Sequence, residues 1–359
     1  MVAESRQLRC LIAAGGTVGH VAPSLAVAEA LRERGVAVTF AGSRERVEAR
    51  LVPEHGYPFD SFPIAGFPRR PGPRLVRALG LAAASPAACL RILARRRPDV
   101  VLGGGGYVAG PMVLAAWLRR IPAALTEADA HLGLANRLAA PFARRLFLAY
   151  PIPGLDGKAR VVGRPIPAAS RALPREQARG ALGLPLEGAV LGVFGGSLGA
   201  RTLNELALEM WATAGPAVLH VCGERDYGEL RARAVRPEYR LVPFLDEFGA
   251  ALGAVDLIVS RSGGSVWEIA AAGRPAILVP YPEATANHQR ANAEYFARAG
   301  GAVVVDDRQA RELVPQLVAE LLADPRRLAA MGEAMRAAAK PDAAERIADE
   351  LVSLAAARR

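Results

Sequence analysis

The chain has 359 residues, room for two domains of ordinary size, and its 52% apolar and 22% charged residues exclude a disordered or low-complexity protein. The formal net charge of +10 lies in the first half: residues 1–163 carry 22 Lys and Arg against 11 Asp and Glu, and residues 164–359 carry 23 against 24. A basic half calls for an anionic partner, either nucleic acid or a negatively charged membrane face.

In chain order, 8–14 is an apolar strand, too short for a secretory signal, that runs into Gly15-Gly16-Thr17-Val18-Gly19-His20. A helix is predicted from about 23 to 34. Strand, glycine turn and helix start form a device for anions, because free N–H groups leave the helix N-terminus and its dipole favours negative charge. The spacing is not that of a dinucleotide fingerprint, and no acidic residue ends the next strand, 36–41. His20, beside a helix start, has a ring suited to proton transfer. The 19 uncharged residues 100–118 have transmembrane length, but Gly103-Gly104-Gly105-Gly106-Tyr107 and Pro111 break them into strand, loop and helix. Four glycines in a row imply close approach of something bulky, such as a ligand. Further strands are predicted at 123–125, 146–149 and 160–162, and prolines at 162–167 mark a linker.

The second half repeats the alternation, with strands at 190–194, 218–221, 240–242, 257–260, 276–279 and 302–305. Alternating apolar strands and helices imply two parallel, doubly wound α/β sheets. The first of these strands leads into Gly195-Gly196-Ser197-Leu198-Gly199-Ala200 and a helix over 203–211 carrying Asn204, a second phosphate cradle. At two later strand ends stand Ser262, Gly263, Gly264 and Glu268, then His288 and Gln289. A carboxylate in a helix's first turns can accept two ribose hydroxyls, and a His–Gln pair can bind sugar hydroxyls. Together they point to a nucleotide sugar. Cys10, Cys89 and Cys222 are widely spaced and read as unpaired cytosolic thiols, and no metal cluster is evident. A last helix is predicted over 343–357.

These motifs, in order and over nearly the whole chain, resemble the MurG family of GT-B glycosyltransferases. Residues 15–20 resemble its GGTGGH loop, 103–111 its GGYxSGP loop, 195–204 its GGSxGAxxxN loop, 261–273 its RSGA…EIAAAG segment and 287–293 its NxQxxNA segment. The resemblance implies GT-B architecture, with two Rossmann-like domains facing across a cleft: 1–163 for the lipid acceptor and membrane, 164–340 for UDP-GlcNAc, and a helix at 341–359 packing back on the first. It implies inverting transfer of GlcNAc from UDP-GlcNAc to the C4 hydroxyl of lipid I, forming lipid II for peptidoglycan at the cytoplasmic face of the bacterial membrane. No cofactor or metal and no nucleic acid are expected.

By the same resemblance the donor site comprises Thr17, Gly19, Arg164, Ser197, Leu198, Gly199, Asn204, Ser262, Gly263, Gly264, Glu268, His288 and Gln289. Gly16, Gly106, Tyr107 and Glu127 lie on the acceptor side, and His20, then Asp129, are the candidate general bases. This chain departs from the family pattern at Val18, which replaces a glycine, and between Arg261 and Glu268, where one residue is missing. It departs again at Thr126-Glu127-Ala128-Asp129, which stands for HEQN, and at Gly163-Arg164-Pro165, where the linker arginine is displaced. Basic and apolar residues mix at Arg69, Arg70, Arg74, Leu75, Val76, Arg77, Leu79 and Leu81. They mix again around Trp117, Arg119, Arg120, Phe142, Arg144 and Arg145, as a peripheral membrane surface would require. Three other readings share the motifs: a GT-B transferase with a different acceptor, a UDP-GlcNAc 2-epimerase, and a non-catalytic UDP-sugar binder.

Overall fold

The computed structural model describes residues 6–66, 72–155, 157–196, 199–245 and 247–357, with the backbone alone of 74, 75, 77, 79 and 285. Ser197, Leu198, Arg69 and Arg70, and the side chains of Arg74, Leu75, Arg77 and Leu79, lie outside that description. The chain divides into two compact units, 1–167 with 341–359, and 168–340.

The first unit is a seven-stranded parallel sheet: β1 (Arg9–Ala13), β2 (Ala37–Gly42), β3 (Phe59–Ser61), β4 (Val100–Gly103), β5 (Ala123–Glu127), β6 (Arg145–Leu148) and β7 (Ala159–Val161), in the order 3-2-1-4-5-6-7. Its helices are α1 (Val18–Glu33), α2 (Glu48–Glu54), α3 (Pro73–Arg96), α4 (Ala109–Leu118) and α5 (Leu134–Ala139). The central strands are buried on both faces, which is why they read as unbroken apolar runs and not as alternating ones.

The edge strand β3 is absent from the sequence prediction. It is three residues long, and its Asp60 is an inward-facing charge that accepts from Arg95 and Arg96 at 2.6 Å. Helix α1 begins at Val18, five residues before the predicted start, with Pro23 inside it.

The second unit is a six-stranded parallel sheet: β8 (Val190–Phe194), β9 (Ala217–Val221), β10 (Tyr239–Val242), β11 (Leu257–Ser260), β12 (Ala276–Leu278) and β13 (Ala302–Val304), in the order 10-9-8-11-12-13. Around it lie α6 (Arg175–Leu182), α7 (Arg201–Trp211), α8 (Glu224–Leu230), α9 (Phe248–Ala254), α10 (Val266–Ala271), α11 (His288–Arg298), α12 (Ala310–Leu322) and α13 (Pro325–Ala338). The last helix, α14 (Ala343–Ala356), belongs to the first unit. Its Ile347, Leu351 and Ala355, one turn apart, are buried in that core, and Asp349 pairs with Arg34 of α1 at 2.6 Å.

In each sheet the strand order reverses once, between β1 and β4 and between β8 and β11. Such reversals open a crevice at the strand C-termini, where ligands bind. The glycine loops after β1 and β4 flank the first crevice, and the loops after β8 and β11 flank the second.

Candidate active site

In the first unit, Thr17 is the N-cap of α1, but its hydroxyl does not cap the helix. Thr17 Oγ1 pairs instead with His20 Nδ1 at 3.1 Å. With Nδ1 as the donor, Nε2 keeps the lone pair that a base needs. Burial, and then the Arg164 guanidinium, lower the His20 pKa to about 4, while Asp129 pulls it the other way. The ring is therefore neutral at cytosolic pH.

Pro23 explains where Arg164 goes. Having no N–H, Pro23 leaves the Gly19 carbonyl one turn back without its helical partner. Arg164 Nη2 donates to that carbonyl at 2.5 Å. Arg164 is 8% exposed, and this bond ties it to the His20 loop.

The glycines after β4 answer to the protein itself and not to a ligand. A methyl at Gly104 would overlap Ser24 Oγ and come 2.8 Å from Ala14 Cβ. At Gly105 it would overlap His20 Cδ2, and at Gly106 the Gly15 carbonyl. Gly105 and Gly106 also have φ of +101° and +74°, open to glycine and costly for other residues. The two glycine loops of this unit are thus pressed together, with the Tyr107 ring against Gly16.

Glu127 ends β5, but its carboxylate faces its own loop. It accepts from Ala128 N at 3.0 Å, Gly133 N at 2.9 Å and Asn136 Nδ2 at 3.0 Å. Burial raises its pKa, and those hydrogen bonds oppose the rise. Glu127 therefore shapes the turn that carries Asp129.

In the second unit, Gly196 and Gly199 have φ of +81° and +74°. A methyl at Gly199 would overlap the Cys222 carbonyl, so the loop after β8 sits directly on the end of β9. Asn204 is wholly buried beneath it. Its Nδ2 donates to Cys222 O and Asp226 Oδ2, both at 2.9 Å, and Oδ1 faces His220 Nε2 at 3.0 Å. Both Asn204 contacts at Nδ2 are acceptors, so His220 Nε2 is the donor, and Nδ1 accepts from Tyr239 Oη at 2.8 Å. Burial drives the His220 pKa down to about 3. The Asn204 amide thus ties α7 to the end of β9 and to α8.

Ser262 follows the end of β11. It is fully buried, and its hydroxyl donates to Gln289 O at 2.7 Å, fixing the first turn of α11. Gly263 faces open space. Glu268, third residue of α10, accepts from Ser170 Oγ at 2.5 Å. Gln289 Oε1 accepts from Tyr281 N at 2.9 Å, and His288 opens α11 after Ala286 and Asn287, both left-handed at φ 52° and 53°.

Four supporting groups escaped the sequence reading: Glu48, Ser170, the His220–Tyr239 pair and Arg261. Arg261 Nη1 donates to Val279 O at 3.1 Å, Pro280 O at 3.3 Å and Asp307 Oδ1 at 2.5 Å, tying three strand ends together. Glu48 had a visible signal. No acid ends β2 in sequence, yet the chain returns an acid there six residues later. Ser170 had none, since it sits in a short turn 98 residues from its partner.

Comparison with known proteins matches residues 10–148 to the N-terminal domain and 190–347 to the C-terminal domain of glycosyltransferase family 28. A Halorhodospira halophila protein is 45% identical over 352 residues, covering 94% of this chain and 96% of its own length. It is named UDP-N-acetylglucosamine–N-acetylmuramyl-(pentapeptide) pyrophosphoryl-undecaprenol N-acetylglucosamine transferase. The crystal structure of Acinetobacter baumannii MurG superposes with a TM-score of 0.78 at 28% identity, over 96% of this chain and 99% of that one. A UDP-N-acetylglucosamine 2-epimerase structure reaches a TM-score of 0.67 at 15% identity over 97% of this chain and 96% of its own, a likeness of fold alone. The two domain matches and the near-full-length identity place this chain in glycosyltransferase family 28, as a member of the MurG family.

Proposed function

We propose that this chain transfers N-acetylglucosamine from UDP-N-acetylglucosamine to the muramyl C4 hydroxyl of the undecaprenyl-diphosphate-linked pentapeptide acceptor, lipid I, with inversion, to form lipid II. The observation that carries the reading is 45% identity across 94% of the chain to a relative named for that transfer. The 2-epimerase reading keeps only a shared fold.

The second unit holds the donor. The loop after β8 presents amides at the start of α7 to the diphosphate, where negative charge builds as UDP departs. Glu268, oriented by Ser170, accepts from the ribose hydroxyls. Gln289, its Oε1 taken by Tyr281 N–H, offers Nε2 to the sugar. The first unit holds the acceptor beside Tyr107, and neutral His20 takes the proton of the attacking hydroxyl through Nε2.

The lipid acceptor brings the enzyme to the membrane as a peripheral protein of the cytoplasmic face. Among the described residues, no helix is long and apolar enough to cross a bilayer. Trp117 and Leu118 end α4 at 52% and 54% exposure, and Trp117 stacks on Phe142 beyond α5, with ring centroids 5.2 Å apart. Leu134 and Leu138, one turn apart on α5, are also exposed. Arg119, Arg120, Arg137 and Arg144 surround them in sequence and are exposed, each worth about 1 kcal/mol beside anionic lipid.

The deciding experiment is transfer of labelled GlcNAc from UDP-GlcNAc to a lipid I analogue. A labelled disaccharide lipid is expected. Release of UDP-ManNAc without acceptor, or tight UDP binding with no transfer, would overturn the reading.

A further inference from the structure

The two units share a strand–glycine turn–helix device, and in the first unit a buried acid is bonded to the glycine turn. Glu48, the first residue of α2, is fully buried. Its Oε2 accepts from Gly16 N and its Oε1 from Ser43 N, both at 3.0 Å. A buried carboxyl group is costly unless its oxygens are hydrogen-bonded, and here both are. The backbone is pared away to admit it: a methyl at Gly15 would overlap Oε1, and one at Gly42 would come 2.8 Å from Glu48 Cγ.

The consequences run to the reacting groups. Gly16, at φ +93°, leads directly into Thr17, whose hydroxyl holds His20 Nδ1. The Gly15 carbonyl abuts Gly106, the Tyr107 ring lies against Gly16, and His20 lies against Gly105. A shift of Gly15–Gly16 therefore moves the base and the tyrosine together.

We propose that Glu48 is a positioning residue: a buried carboxylate that clamps the Gly16 and Ser43 amides and thereby sets His20 and Tyr107 for the acceptor. The proposal rests on His20 being the base.

The test is Glu48→Gln, which keeps the shape but sets an NH2 group against one of two N–H donors. Expected is a kcat loss of at least tenfold, with the KM for UDP-GlcNAc and the Kd for UDP within twofold. The His20 ring, followed by NMR in both proteins, should titrate higher in the variant than in the wild type, toward 6.5, as the loop loosens and the burial that lowers its pKa is relieved. A kcat within twofold of wild type overturns the proposal. So does a kcat loss with an unchanged His20 titration, which would make Glu48 a folding residue only. If Glu48→Gln melts before assay, Gly15→Ala, which displaces the carboxylate from the other side, is judged by the same two readouts. Failure of the wild type to transfer GlcNAc would sink the functional reading, while the His20 titration of the variant still decides whether Glu48 positions the ring.

Discussion

Replacing Gly105 with alanine is the sharpest probe of the acceptor side. The new methyl would overlap His20 Cδ2 and stand 3.2 Å from Cγ and 3.3 Å from Nε2, all inside normal carbon contact. Relieving this to about 3.5 Å requires the ring to retreat by roughly 1 Å. The ring is held on its other side by Thr17, so retreat strains the 3.1 Å Nδ1 bond. Alanine at φ +101° adds backbone strain of about 1–3 kcal/mol. A 1 Å misplacement of a reacting group costs on the order of 100-fold in rate, about 2.7 kcal/mol of barrier. The expected result is a kcat for lipid I glycosylation down about 100-fold, with UDP affinity by calorimetry unchanged, because the ribose and sugar contacts proposed above, Glu268 and Gln289, are in the second unit. A folded Gly105→Ala enzyme with kcat within threefold of wild type would refute the reasoning that this glycine exists for His20.

Three further outcomes are expected. Ser170→Ala frees Glu268 Oε1 and should raise the KM for UDP-GlcNAc about 3–10-fold with kcat within twofold, as steady-state kinetics will show, because a lost ground-state contact acts on binding. Unfolding free energy should fall with pH below about 6.5: the unfolded chain takes up protons at its histidines, while His220, near 3, and His20, near 4, refuse them when folded. Urea melts from pH 8 to pH 4.5 should show this slope, and His220→Gln should flatten it while costing about 1–3 kcal/mol at pH 8. Trp117→Ser combined with Leu138→Ser removes two exposed apolar side chains and should cut flotation with anionic vesicles at least tenfold, with UDP binding intact. Residual binding should fall further at high salt.

The sequence by itself determined the two parallel sheets, because strands covered on both faces must be apolar, and β1, β4, β8 and β11 are, apart from Arg9 at the start of β1 and Ser260 at the end of β11. It also showed glycine turns after those strands, at the points where the strand order reverses. The short edge strand β3 stayed hidden, because three residues with a central Asp60 carry no periodicity. The start of α1 was hidden for a related reason: Pro23 reads as a beginning, yet Arg164 supplies the partner that lets the helix run through it.

At the sites, the sequence identified polar residues of the right kind but not which way they turn. Asn204, Ser262 and Glu127 point into the protein, where their hydrogen bonds hold the end of β9, the first turn of α11 that carries Gln289, and the loop that carries Asp129. Glu48, Ser170 and His220 reach the sites only through the fold. Local pattern encodes which face of an element is buried. It does not encode the partner of a buried polar atom, which here lies 32 residues away for Gly16 and Glu48 and 98 for Ser170 and Glu268. Those pairings were decided only when the strand order brought the two loop ends together.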